Sequence, residues 1–143
     1  MWVLPPVTVT ARANRGAAVL EEIELAGGHG RFIAADLSDR GAAEALAQDA
    51  GDVDILVNNA GVAWFGPSEE LDTETLDRLF VTNVEAAYLL GAKLAPAMVA
   101  RGSGSIINVS SMAANVGLPG GAAYSATKAA LSAFTRAWAA EYS

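Results

Sequence analysis

A tyrosine and a lysine four residues apart, Tyr124 and Lys128, are the residues of this sequence best suited to acid–base chemistry. Side chains four positions apart in a helix lie on one face. An ammonium held near a phenol favours the phenolate, so such a tyrosine can give a proton to a substrate oxygen near neutral pH. An isolated pair of this kind is more often a surface contact, and its meaning depends on the elements around it.

Polar residues that follow predicted strands supply the other candidates. Ser111 precedes Tyr124 by thirteen positions and could donate a hydrogen bond to the same substrate oxygen. Asp36 and residues 58–61 follow two other predicted strands. Asn83 interrupts the apolar face of a long helical pattern, where a buried amide must be hydrogen-bonded. Asn83 could equally be a residue that kinks or caps the helix.

The elements that must position these residues alternate along the chain. Short β-branched runs predict strands at residues 7–10, 32–35, 53–57 and 105–110. Helical spacing predicts helices at residues 15–26, 39–50, 73–101 and 122–142. This alternation predicts an α/β fold, with a parallel sheet covered on both faces. Ligands of open parallel sheets bind at the carboxyl ends of the strands, where the candidate residues lie.

Composition bounds the class of protein. The 143 residues include 16 acidic and 9 Lys or Arg side chains, the formal net charge is −7, and 52% are hydrophobic. This composition excludes intrinsic disorder and disfavours nucleic acid as a partner. With no cysteine and a single histidine, His29, we expect no metal site. No apolar run is long enough to span a bilayer, and we expect a cytoplasmic protein without a membrane partner.

Taken in order, several motifs resemble the short-chain dehydrogenase/reductase family. They are Asp36-Leu37, Asn58-Asn59-Ala60-Gly61, Asn83, the run of residues 104–111, and Tyr124 with Lys128. Each motif alone is weak, but their order and spacing together are specific and extend over residues 7–143. The resemblance implies a Rossmann-type, doubly wound parallel sheet and a nicotinamide cofactor. It also implies hydride transfer between that cofactor and an alcohol or carbonyl substrate.

The resemblance also implies a catalytic role for four residues. Tyr124 is the implied general acid–base, which protonates the carbonyl oxygen during reduction. Lys128 assists the tyrosine and binds the nicotinamide ribose. Ser111 orients and polarises the substrate carbonyl, whereas its neighbour Ser110 is expected to be structural. Asn83 is implied to position a water in a proton relay behind the lysine.

Further residues are implied to hold the cofactor. Asp36 accepts a hydrogen bond from the adenine amino group and Leu37 supplies a backbone contact. Considered alone, Asp36 would more often cap the following helix. The adenosine ribose lies on Asn59, Ala60 and Gly61, where the glycine lets the backbone approach closely.

The choice between NADP and NAD depends on the end of the first predicted strand. An acidic residue there selects NAD, whereas a basic residue accommodates the 2′-phosphate of NADP. Here the strand is followed by Arg12, and no acid is present at its end. A guanidinium suits a phosphate, so we expect NADP(H) to be favoured over NAD(H). The alternative is that Arg12 is an ordinary surface arginine.

The chain departs from the family at both ends. The family begins with a strand and a glycine-rich turn, and here residues 1–6 carry two successive prolines instead. The family also continues beyond the position of residue 143 with further strands. We therefore expect residues 1–143 to form a single partial NAD(P)-binding domain. Strands 7–10 and 53–57 should be separated by a gap or forced to pair. We expect the chain to be marginally stable and to have little or no activity.

Two functions follow from this reading. The first is an NADP-preferring oxidoreductase of a small alcohol or carbonyl substrate, loosely similar to 3-oxoacyl-carrier-protein reductases. The alternative is a non-catalytic fragment of the family that serves as an oligomerisation module. The family forms homodimers and homotetramers through long helices, which match residues 73–101 and 122–142 here.

Overall fold

Strands and helices alternate along the part of the chain that the computed structural model describes, residues 7–11 and 16–143. The strands are Val7–Ala11 (β1), Gly30–Ala34 (β2), Ile55–Asn58 (β3) and Ser105–Asn108 (β4). The α-helices are Gly16–Leu25 (α1), Ala42–Ala50 (α2), Thr73–Phe80 (α3), Ala86–Arg101 (α4) and Ala122–Glu141 (α5). The α/β alternation predicted from the sequence is confirmed, with bounds that differ by a few residues.

The strands form two separate parallel pairs. β1 pairs with β2, with Val7 opposite Gly30, and β3 pairs with β4, with Ile55 opposite Ser105. Within residues 7–11 and 16–143, no ladder joins β1 to β3. Of the two arrangements that the sequence left open, the structure therefore shows the gap.

One apolar core holds the two pairs of strands together. Its buried residues come from the segment after β2 and from helices α2 and α4; they are Leu37, Ala43, Leu46, Ala47, Ala86, Leu90 and Leu94. Ile33 of β2 and Leu56 of β3 both pack against this cluster. The helices thus bridge the gap that backbone hydrogen bonds do not cross.

Among the described residues, none covers the opposite face of the β3–β4 pair, so the covering of both faces expected from the sequence is not seen at these two strands. Ile55 and Val57 are 57% and 54% exposed, and Ile107, opposite Val57, is 47% exposed. We call these three side chains the bare sheet face. The physical reason is that the helices that pack on β3 and β4 (α4 and α5) lie on the other side.

The long helical pattern at residues 73–101 is interrupted in the middle. Asp72 begins α3 by accepting hydrogen bonds from the amide and the hydroxyl of Thr75, at 2.7 and 2.9 Å. Five residues of π-helix, Val81–Glu85, then separate α3 from α4, and we call them the π segment. Gly102, with a φ of 69°, ends α4 in the left-handed conformation.

None of the helices described here is long and apolar enough to cross a membrane.

Candidate active site

The first two turns of α5 hold the predicted acid–base pair. Gly121 precedes the helix, and Tyr124 and Lys128 follow one turn apart on one side of it. The Lys128 Nζ lies 5.9 Å from the centroid of the Tyr124 ring. The same ammonium donates a hydrogen bond of 2.8 Å to the carbonyl oxygen of Val109, directly after β4. The lysine therefore joins the tyrosine to the carboxyl end of a strand.

Lys128 is buried, and this changes its proton affinity. Burial removes water from the ammonium, disfavours its charged form and lowers the pKa of Lys128. The burial of the ammonium therefore has a cost in stability. The position therefore favours a functional role over a structural one.

The two serines after β4 have different surroundings. The Ser110 hydroxyl lies 2.8 Å from the Lys128 carbonyl oxygen and 2.9 Å from the Ser132 hydroxyl, so it fastens the end of β4 to α5. Ser111 is half-buried, and its Oγ accepts a hydrogen bond of 3.2 Å from the Ala113 amide. Because a hydroxyl can accept and donate together, the Ser111 O–H remains able to donate. The structural role expected for Ser110 is confirmed.

Asn83 lies at the centre of the π segment and is 1% exposed. Its amide group accepts from the Val62 amide and donates to the Val62 carbonyl oxygen, both at 2.8 Å. It also donates a hydrogen bond of 3.0 Å to the hydroxyl of Thr127. Both interpretations of Asn83 thus have a basis, because the residue sits in a helix irregularity and is fully hydrogen-bonded. The hydrogen-bonding groups of the Asn83 side chain are thus occupied by Val62 and Thr127.

Gly61 lies against this group and leaves room beside it. A Cβ atom at Gly61 would lie 3.3 Å from Asn83 Oδ1 and 3.5 Å from Lys128 Nζ. The preceding Asn59 and Ala60 are exposed. Asn58 instead is buried, and its Nδ2 donates a hydrogen bond of 2.9 Å to Asn108 Oδ1. Asn58 therefore links β3 to β4.

The remaining predicted cofactor residues lie after the other pair of strands. Asp36 Oδ1 accepts from the amide and the hydroxyl of Ser38, at 3.0 and 2.7 Å. This contact closes a turn; the residue at the N-cap of α2 is Gly41, so the alternative of a helix cap does not hold for Asp36. The Leu37 side chain is part of the apolar core. Arg12 lies outside the described residues.

The residues present fit a nicotinamide nucleotide. An ammonium has three N–H donors, and Val109 takes one from Lys128, which leaves capacity for ribose hydroxyls. Gly61 offers a backbone without a side chain next to that ammonium, and the exposed residues before it continue the surface. Lys128 can therefore bind the hydroxyls of one ribose of such a cofactor, and the backbone of Asn59, Ala60 and Gly61 is open to another part of it.

Thr127 is a residue of this site that sequence reasoning missed. It is fully buried, and its hydroxyl donates to the Tyr124 carbonyl oxygen at 2.7 Å while it accepts from Asn83. It thus connects the catalytic turn of α5 to the π segment. The only signal in the sequence was a β-branched polar residue within an alanine-rich helix, which does not reveal a partner.

Comparison with known proteins supports the same reading. Residues 6–143 match the short chain dehydrogenase family. An uncharacterized oxidoreductase of Thermotoga maritima is 37% identical over 133 residues, which are 90% of this chain and 52% of the relative. Carbonyl reductase (NADPH) 2 of Sus scrofa is 42% identical over 110 residues, 76% of this chain and 45% of the relative.

Solved structures agree with the sequence comparison. A metagenomic short-chain oxidoreductase in complex with NADP superposes with a TM-score of 0.89 at 42% identity, over 95% of this chain and 64% of that one. The chain spans about half the length of the curated relatives that it matches. It thus contains part of a Rossmann-type fold. The chain belongs to the short-chain dehydrogenase family of oxidoreductases.

Proposed function

We propose that this chain carries the proton-transfer site of an NAD(P)-dependent oxidoreductase, which interconverts a small carbonyl compound and its alcohol. The observation that carries the proposal is the buried Lys128 ammonium, which lies beside the Tyr124 ring and is hydrogen-bonded to Val109 after β4, two residues before Ser111. A purely structural lysine would not need burial at a cost. The name of the porcine relative, a carbonyl reductase, supports this class of reaction.

The proposed mechanism assigns one task to each side chain. The Ser111 hydroxyl donates a hydrogen bond to the carbonyl oxygen and orients it. Tyr124 gives its phenolic proton to that oxygen as the carbonyl carbon is reduced, and Lys128 stabilises the phenolate that remains. When bound, the nicotinamide cofactor supplies the hydride, and so the two electrons, that the carbonyl carbon receives. In the reverse direction, the Tyr124 phenolate takes the proton from the alcohol.

For the cofactor, we propose NADP(H) in preference to NAD(H). Asp36 and Leu37 would receive the adenine, the segment 59–61 the adenosine ribose, and Lys128 together with Tyr124 the nicotinamide ribose. The preference itself rests on Arg12, because a guanidinium forms charge-assisted hydrogen bonds with a 2′-phosphate.

The cofactor preference is tested by the substitution Arg12→Asp, with Arg15→Asp as the matched control. We expect the ratio of NADPH to NADH affinity to fall about tenfold or more with Arg12→Asp only, which corresponds to the loss of one charge-assisted contact. Titration of both cofactors against each variant gives that ratio. An unchanged ratio for Arg12→Asp would refute the assignment.

The reaction itself is tested with neighbouring serines. Long incubation of the chain with NADPH and a ketone should yield the alcohol slowly, because the site residues are present while the two pairs of strands are not joined. Ser111→Ala should reduce the yield about a hundredfold, since it removes the donor to the carbonyl oxygen. Ser110→Ala, which alters only the link between β4 and α5, should reduce it much less. Equal losses for both serines would contradict the role of Ser111.

One observation favours a second candidate function, that of an oligomerisation module. Four aromatic side chains of α4, α5 and the residue after α5 stack in a row; they are Tyr88, Phe134, Trp138 and Tyr142. Tyr88 is 48% exposed, and Val99 of the same helix is also exposed. Such a surface suits a homodimer or homotetramer.

The oligomeric state separates the two candidates. A homodimer that dissociates with Tyr88→Glu, measured by light scattering after gel filtration, is expected for the module. If Tyr88→Glu disrupts the dimer and substitutions of Tyr124 do not change the yield of alcohol, the second candidate replaces the first.

We also propose a cytoplasmic location, which the charge and composition of the sequence support.

A further inference from the structure

We propose that the substrate of this site is an uncharged, apolar ketone or secondary alcohol, and that Phe65 forms one wall of its binding site. The inference rests on the proposed function, and it specifies the substrate class and a residue that determines it.

The first observation is the position of the Phe65 ring. It lies with its centroid 5.4 Å from that of Tyr124, at an interplanar angle of 62°, so an edge meets a face. Nevertheless the Phe65 side chain is 58% exposed. A large apolar side chain that touches the proton donor and is still open to solvent offers apolar surface to whatever the donor protonates.

The second observation is that the position of Phe65 is fixed by the loop before α5. The Gly66 amide donates a hydrogen bond of 3.0 Å to the Gly120 carbonyl oxygen. Gly120 has a φ of 72°, and a Cβ atom there would lie 3.2 Å from the Gly66 carbonyl oxygen. Only glycine permits this close contact between the two loops. The backbone beside Phe65 is therefore fixed against the loop that leads to α5, on which Tyr124 lies.

The residues next to Ser111 are apolar as well. Met112 directly follows Ser111 and is 76% exposed. Val116 and Leu118, on the loop that leads to α5, are also exposed large apolar side chains. Exposed apolar side chains thus lie beside both residues that would hydrogen-bond the substrate: Met112 follows Ser111, and Phe65 contacts Tyr124.

The last observation is the charge of the two loops that carry Phe65 and Ser111. Residues 59–67 and 109–127 contain no Asp, Glu, Lys, Arg or His. The first cation after them is Lys128, which is buried behind Tyr124 and donates to Val109. A carboxylate or phosphate on the substrate would lose water at these loops without gaining a cationic partner, which is costly. An apolar group would instead gain from contact with Phe65 and Met112.

The experiment compares two ketones of opposite character on the whole chain. The ¹⁵N-labelled chain is titrated with acetophenone and, separately, with 5-keto-D-gluconate, and the amide signals of residues 62–66 and 120 report binding. We expect acetophenone to bind about tenfold more tightly than 5-ketogluconate. Phe65→Ala should weaken acetophenone binding about tenfold, as expected for the loss of a buried aromatic contact. Leu25→Ala, which removes an exposed apolar side chain from α1, should leave it unchanged.

A variant that introduces a positive charge provides a positive signal. Phe65→Arg places a cation where the apolar wall stands, so it should weaken acetophenone binding and strengthen 5-ketogluconate binding. A wild-type chain that prefers 5-ketogluconate, or acetophenone binding that is indifferent to Phe65, would overturn the inference. The wild-type preference needs no variant, so a variant that fails to fold does not prevent a decision.

Failure of this inference and failure of the proposed function are distinguishable, because the titrations contain no cofactor and involve no reaction. If the chain binds acetophenone through Phe65 but shows no carbonyl reduction that depends on Tyr124, only the proposed function is refuted. A chain with transfer dependent on Tyr124 that prefers 5-ketogluconate would refute the substrate class alone.

Discussion

Lys128 connects the proposed chemistry to the stability of the fold. Its ammonium is buried, donates to the Val109 carbonyl oxygen, and lies beside the Tyr124 ring. Burial disfavours the charged form, so the pKa of Lys128 is lower in the folded chain than in the unfolded one. One residue therefore sets both the proton equilibrium of the site and part of the pH dependence of folding.

The sign of that pH dependence follows from linkage. Between the two pKa values the unfolded chain binds more protons than the folded chain, so the free energy of unfolding increases as pH rises through this window. We expect the folded Lys128 signal, followed by NMR, to titrate below the ordinary lysine pKa of about 10.4. The variant Lys128→Met assigns the signal and should flatten the increase in stability between neutral pH and that value. A decrease in wild-type stability over the same window, at pH values where other groups do not titrate, would contradict the burial argument.

Gly91 tests the packing of α4 against α5 at a single position. A Cβ atom at Gly91 would lie 2.8 Å from Trp138 Cζ3. Gly91→Ala should therefore destabilise the fold by about 1–3 kcal/mol through overpacking, which exceeds the helix-propensity gain of up to about 1 kcal/mol. Chemical denaturation measures the difference. Gly117→Ala is the control, because a Cβ atom there meets nothing within 4 Å; a stabilising Gly91→Ala would show that the helices pack less closely.

At the scale of elements, three segments meet through one chain of hydrogen bonds. Val62 exchanges two hydrogen bonds with Asn83 of the π segment, Asn83 donates to Thr127, and Thr127 donates to the Tyr124 carbonyl oxygen. Asn83 and Thr127 are both buried, so the loss of one partner leaves the other unsatisfied. The position of the catalytic turn therefore depends on the segment after β3 and on the helix irregularity.

Thr127 is the position at which this link can be cut with little change in shape. Thr127→Val should cost about 1–3 kcal/mol of unfolding free energy, because Asn83 loses its acceptor inside the protein. Thr127→Ser keeps the hydroxyl and should recover most of that loss. Urea denaturation of both variants provides the comparison. Equal costs for Val and Ser would mean that the methyl group, and not the hydrogen bond, matters.

The elements also show which parts of the site were predictable from the sequence. Tyr124, Lys128 and Ser111 were accessible because their spacing is local and the carboxyl ends of parallel strands converge. Thr127 was not, since its role depends on which side of α5 faces the π segment. The length of the helical pattern at residues 73–101 was predictable, but the π segment was not, because one inserted residue hardly disturbs apolar periodicity.

At the scale of the whole molecule, the chain has a core on one side of β3 and β4 and the bare sheet face on the other. The apolar strand sequences suggested burial on both faces. A strand sequence does not show, however, whether a helix covers each face. Ile55, Val57 and Ile107 thus expose apolar surface beside a gap between two pairs of strands. Such a surface favours self-association and marginal stability.

The bare sheet face is tested by making it polar. We expect Val57→Thr combined with Ile107→Thr to lower the binding of a hydrophobic fluorescent dye and the light scattering of the purified chain. Threonine keeps the β-branched shape, so the pairing of β3 with β4 should persist. Leu56→Thr, on the covered face, is the contrasting variant and should unfold the chain instead. Dye binding that is unchanged in the double variant would mean that this face is already covered in solution.

The central claim is that Tyr124 protonates a substrate oxygen while the carbon beside it is reduced. Its most direct test is to incubate the chain with a ketone and with NADPH that carries deuterium at C4 of the nicotinamide. Mass spectrometry then measures deuterium on the carbinol carbon of the alcohol. We predict that deuterated alcohol accumulates slowly with the wild-type chain. Tyr124→Phe, which keeps the ring but lacks the phenolic proton, should lower this yield at least about a hundredfold. Equal incorporation by both proteins would contradict the claim.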